Sequence, residues 1–131
     1  MDVSPDVPLH DVLLASADLE ERRLLYAELR EAGYEVMPVE GIRDAVRALL
    51  LGVVRPPLVV LDLHGGPQAT HKGVDDLLAL LRDVPLILIV GRIGSEIWEP
   101  LRPRVAALLR RPIHVGEIVD VVRRISPPPA D

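Results

Sequence analysis

In the stretch LVVLDLHGGPQATHKG, residues 58–73, four apolar residues run into Asp62, and the chain then turns rich in glycine and histidine. A carboxylate at the end of an apolar strand stands where a crevice forms, and it can serve there as nucleophile, proton acceptor or cation ligand. Each of those roles needs partners. His64 and His71, seven residues apart, flank the loop after Asp62 but bring no fourth ligand with them, so no metal site is expected from this trio. Cysteine is absent, which removes disulfides, thiolate metal sites and thiol catalysis. Gly91-x-x-Gly94 does not make a dinucleotide fingerprint, and no lysine stands in a phosphate-loop motif. Ser16, Ser95 and Ser126 lack the surroundings of a nucleophile. With no second catalytic group converging on Asp62, the sequence does not read as an enzyme.

The elements that must position Asp62 follow from the spacing of apolar residues. VLLAS (12–16), LVVLD (58–62), PLILIV (85–90) and AALLR (106–110) are short apolar runs, the pattern of strands covered on both faces. YEVMPV (34–39) is a further strand, and Pro38 would remove a ladder hydrogen bond from a central position, so it belongs at an edge. Between the strands lie helical patterns at 18–33, 41–52, 74–83 and 115–125. The first opens on acids, carries Leu25, Leu29 and Ala32 on one face and stops at Gly33. In GRIGSEIWEPLRPRV (91–105), Pro100 and Pro103 must cut short any fourth helix.

Strand–helix alternation five times over predicts an α/β fold of the doubly wound, three-layer, flavodoxin-like type, with a five-stranded parallel sheet. Right-handed crossovers and the proline at the edge favour the strand order 2-1-3-4-5. The working crevice of such a sheet lies at the carboxyl ends of its strands, near the switch between strands 1 and 3, which is where Asp62 ends its strand. One domain over 11–125 is expected, with a flexible N-terminus at 1–10 and a proline-rich tail or linker start at 126–131.

Apolar residues make up 49% of the chain, while aromatics are 2% and phenylalanine is absent, so the core must be aliphatic. No apolar run approaches the roughly 18 residues of a membrane span. The acidic start, MDVSPDVPLHD, is no signal peptide, which makes the cytoplasm the expected location. Net charge is −5, divided between a net −7 over residues 1–91 and a net +2 over 92–131. An acidic chain with hardly any aromatics speaks against nucleic acid as a partner.

From Val12 to about Ile125 the chain resembles the receiver domain of bacterial response regulators, the CheY-like superfamily. The resemblance rests on Arg22-x-x-Leu25-x-x-x-Leu29-x-x-x-Gly33-Tyr34, on Pro56 ahead of a strand ending in Leu61-Asp62-Leu63, and on Arg111-Pro112-Ile113 where that family has Lys-Pro-Phe. It implies a two-component signalling role, in which Asp62 would be the phosphoryl acceptor. A carboxylate attacking phosphate faces charge repulsion, so a divalent cation bridges the two. The resemblance places the cation's acidic pair at Ser16 and Ala17, the hydroxyl switch at Val90, the aromatic switch at Leu108 and the lysine at Arg111.

Neither Ser16 nor Ala17 can give a hard cation the carboxylate it prefers. Val90 has no donor, and arginine replaces lysine with a planar, two-toothed group. A degenerate receiver is therefore expected, without cofactor, with Arg111 pairing with Asp62 in place of the ion. Asp18, one position beyond the pair, reads as the first helix's N-cap. The alternative is a phosphoryl-accepting regulator that holds Mg2+ through Asp18 or the loop. The expected partner is a sensor kinase or another signalling protein. The helix 4–strand 5–helix 5 face, with Trp98, Arg102 and Arg104, is the candidate interface, including one between two copies of the chain.

Overall fold

The computed structural model describes residues 10–52, 56–63 and 70–129. Its elements run β1 (Val12–Ser16), α1 (Leu19–Glu31), β2 (Val36–Val39), α2 (Ile42–Leu50), β3 (Val59–Asp62), α3 (His71–Leu81), β4 (Leu86–Val90), a 3-10 helix (Ser95–Arg104), β5 (Ala107–Arg110) and α4 (Val115–Ile125). All strand pairs are parallel, in the order β2-β1-β3-β4-β5. Pro38 sits in β2, opposite Leu14, with its other side free of any strand, which is where a residue without an N–H does least harm.

Side chains alternate across the sheet, and the alternation builds two cores. Leu13, Ala15, Val59, Leu61, Leu86, Leu88 and Val90 face α2, α3 and the 3-10 helix. Val12, Leu14, Leu58, Val60, Ile87 and Ile89 face α1 and α4. The same parity carries Ser16 and Asp62, two residues beyond Leu14 and Val60, to the α1/α4 side, and β1 and β3 pair so that Ser16 lies beside Asp62.

α1 begins on Asp18, whose side chain accepts from Glu21 N–H at 3.1 Å. It ends at Gly33, whose φ of +104° is a conformation that glycine adopts without strain. A Cβ at that glycine would come within 3.4 Å of Pro128. The next residue, Tyr34, is 1% exposed and donates its hydroxyl to Ser126 O at 2.7 Å. The proline-rich segment after α4 thus lies against the α1–β2 corner at Ser126 and Pro128.

One expectation needs correction. α3 starts at His71, three residues before the expected Val74, because Thr70 caps it by accepting from Gly73 N–H at 3.0 Å. Gly73 is therefore a helical residue. No α-helix forms across the prolines at 100 and 103. They lie within a ten-residue 3-10 helix, where residues three apart share one edge. His64 and the Gly65-Gly66-Pro67 stretch lie outside the described residues.

Candidate functional site

β3 ends at the carboxyl pole of the sheet and delivers Asp62 there at 2% exposure. A buried carboxylate without donors is costly, and among the described residues Ser16 and Arg111 supply this one. Ser16 Oγ, at the end of β1, donates to Asp62 Oδ2 at 3.2 Å. Arg111 Nη2, from the turn after β5, donates to the same oxygen at 2.8 Å. That nitrogen also lies 3.2 Å from Glu21 Oε2 in the first turn of α1. Arg111 is 13% exposed and Glu21 31%, whereas the Asp62 side chain is fully enclosed. One guanidinium therefore joins two carboxylates, one from β3 and one from α1. Beside them, Arg22 Nη1 donates to Ser16 O at 2.7 Å and closes the end of β1.

An open crevice of about 600 Å3 adjoins this cluster, with Ala17, Asp62, Leu63, Thr70 and the first turn of α2 among its lining residues. The site suits a hard divalent cation poorly. Such an ion wants about six oxygens, several of them anionic or water. Ser16 Oγ lies between two acceptors, Asp62 Oδ2 at 3.2 Å and Asp18 O at 3.4 Å, Ala17 has no polar side-chain atom, and Asp18 Oδ1 is engaged as the helix cap. A guanidinium cation already lies against one oxygen of Asp62, Oδ2, at 2.8 Å. Among the described residues, no group of three His, Asp or Glu side chains converges as metal ligands would.

The remaining positions singled out in the sequence lie apart from this cluster. Val90 is 1% exposed and Leu108 8%, and both belong to the apolar core on the α2/α3 side. Trp98 joins them there. Named above as part of a candidate interface, it is 7% exposed and its ring stacks on His71, with centroids 4.7 Å apart and planes 7° from parallel. The reason is the 3-10 helix, which folds Trp98 and Leu101 inward together. Arg102 and Arg104 remain at the surface, paired with Glu99 and Asp75 respectively, the latter at 2.6 Å. The Arg102 guanidinium holds the Glu99 carboxyl below its ordinary range.

Glu21 was missed in the sequence. It sits three residues after the cap of α1, where an acid is explained by the helix start alone, and nothing local announces its approach to a residue 90 positions later.

No protein-family model and no curated protein matches the chain. Solved structures do. A response regulator receiver protein from Sinorhizobium medicae WSM419 superposes with a TM-score of 0.73 at 19% identity, over 92% of this chain and 96% of that one. One from Burkholderia phymatum gives 0.73 at 20% identity, over 92% and 98%. A CheY-like receiver domain protein from Methanospirillum hungatei JF-1 gives 0.73 at 16% identity, over 90% and 94%. Among the described residues, no helix is long and apolar enough to cross a membrane. The fold of this chain is that of the response regulator receiver domains.

Proposed function

We propose that this chain is a receiver-like signalling module of the two-component type that is not switched by magnesium-dependent phosphorylation of Asp62 and works through contacts with protein partners. The observation that carries this reading is the double claim on Asp62 Oδ2, by Arg111 at 2.8 Å and by Ser16 at 3.2 Å. An acceptor carboxylate must present a free oxygen to phosphorus and share another with a cation. Here an internal cation and a hydroxyl occupy Oδ2, and Ser16 and Ala17, at the positions of the cation's acidic pair, carry no charge to bring in a metal. The positions that would read out a phosphoryl group, Val90 and Leu108, are packed as aliphatic core.

The role left to such a module is recognition by its surface, with a sensor kinase or another signalling protein as partner, or a second copy of the chain through the face of the 3-10 helix, β5 and α4. The test is intact-mass spectrometry after incubation with acetyl phosphate, with and without Mg2+, and with Asp62→Asn as control. An unchanged mass in every condition is the expected result. A phosphate adduct that requires both Mg2+ and Asp62 would overturn the reading in favour of a working acceptor.

A further inference from the structure

A second, smaller pocket of about 370 Å3 adjoins Arg111, lined by Glu21, Arg92, Arg111, Pro112 and Ile113. Two guanidinium groups share it, and they differ in their commitments. Arg111 holds Asp62 and Glu21, and its Nε is buried without a hydrogen-bond partner among the described residues. Arg92 is exposed and forms no ion pair with a described residue. The residue after Arg92, Ile93, is 95% exposed, and Ile97 in the same stretch is 54% exposed. Single apolar side chains on a surface are ordinary. An almost bare isoleucine next in sequence to an arginine that lines a pocket together with Pro112 and Ile113 is a more specific combination.

We propose that this pocket docks a protein partner through an acidic side chain flanked by an apolar one. The carboxylate enters between Arg92 and Arg111, and its apolar neighbour covers Ile93. Glu21, at 3.2 Å from Arg111 and 31% exposed, occupies the place that the incoming carboxylate takes. Exchanging one carboxylate for another on Arg111 leaves Asp62 paired throughout. The chemistry favours a discrete acidic side chain over a polyanion, because the chain as a whole carries −5 and repels extended negative charge.

The proposal rests on the reading of the chain as a module that works by protein contact, and it names the chemistry of the contact. It is tested on the isotope-labelled chain by NMR titration with a short peptide carrying two acids between leucines. A counterpart with Asn and Gln in place of the acids serves as comparison. The Arg111 Nε–H and the Ile93 amide signals are expected to move saturably with the acidic peptide. The affinity should fall about fivefold with the amide peptide or in Arg92→Ala, and rise about twofold in Glu21→Gln, the range of partly exposed charge pairs. An absence of saturable movement, equal binding of the two peptides, or an unchanged affinity in Arg92→Ala would each overturn it. The titration uses neither acetyl phosphate nor Mg2+. A negative result therefore strikes this surface and leaves the reading of Asp62 standing, while a phosphate adduct on Asp62 would do the reverse.

Discussion

Replacing Arg111 with alanine removes the cation from a carboxylate whose side chain is fully enclosed, and the size of the effect follows from the geometry. With charge centres about 4 Å apart and an effective dielectric of about 20, the attraction is about 4 kcal/mol. Removing one partner of a buried pair costs about 3–5 kcal/mol, because the other charge stays behind. Two features pull this case to the lower end. Ser16 continues to donate to Asp62 Oδ2, and Arg111, at 13% exposure, lies near enough to the surface for water to enter its place. A loss of about 3 kcal/mol is expected, which in urea, at a slope of about 2 kcal/mol/M, lowers the midpoint by about 1.5 M.

The Glu21 arm is more exposed, and Glu21→Gln should lose no more than about 1 kcal/mol. The decisive comparison is the cycle with Asp62→Asn, where the buried charge is gone. There Arg111→Ala should lose less by at least about 1.5 kcal/mol, the coupling of groups in direct contact. If Arg111→Ala cost under about 1 kcal/mol, or if the two substitutions added to within about 0.5 kcal/mol, the reasoning that Arg111 is the resident cation of the crevice would be refuted.

Two further outcomes follow from the packing. Trp98 is the single tryptophan; its native fluorescence should be blue-shifted and shielded from acrylamide, and Trp98→Ala should cost about 3–5 kcal/mol, whereas emission at the wavelength of a free indole would contradict its place in the core. Burial raises the Tyr34 phenol above its ordinary value, with Arg123 opposing and Asp11 adding to the shift. The unfolded chain then gives up this proton first, at about pH 10, so stability is whole below that pH and falls as pH rises above it. Tyr34→Phe should remove that alkaline slope from pH-dependent urea melts and lose about 1 kcal/mol at neutral pH; a slope that survives the substitution would place its origin elsewhere.

Much of the architecture could be read from residue order because it depends on local rules. Pro38 tolerates only an edge, and that requirement, with the run of apolar strands, selects the sheet order found. Asp18 and Gly33 bound α1 through cap chemistry that needs no tertiary contact. The start of α3 escaped because Thr70, His71 and Lys72 continue a polar, glycine-bearing stretch, and Gly73 looks like loop until the Thr70 cap is seen. Pro100 and Pro103 argue against an α-helix, and periodicity gives no direct sign of a 3-10 helix in its place. Trp98 shows the limit most clearly: a tryptophan among arginines has the composition of an interface, and only the fold decides that its ring turns inward onto His71. At the site, Asp62 was legible because it ends an apolar strand, and Arg111 because the resemblance places it at the lysine position. Glu21 was not, since its partner comes from the far end of the chain.

The hydrogen bond from Tyr34 to Ser126 spans 92 positions of sequence, and α1 and α4 share one of the two cores. That core therefore cannot be completed from neighbouring segments. The opposite layer, with α2 and α3 packed on β1, β3 and β4, draws most of its residues from before Gly91. A chain made from its N-terminus can assemble that layer first, while Leu25, Leu29 and Val60 wait for Ile118, Val119 and Val122. Contacts of such long separation form late and slow the folding of the whole. The docking of α4 is therefore expected late in folding, where it buries the α1 face and brings the segment after it onto Tyr34. The turn that carries Arg111 to Asp62 leads directly into that helix, so the crevice and the last helix are expected to be completed together.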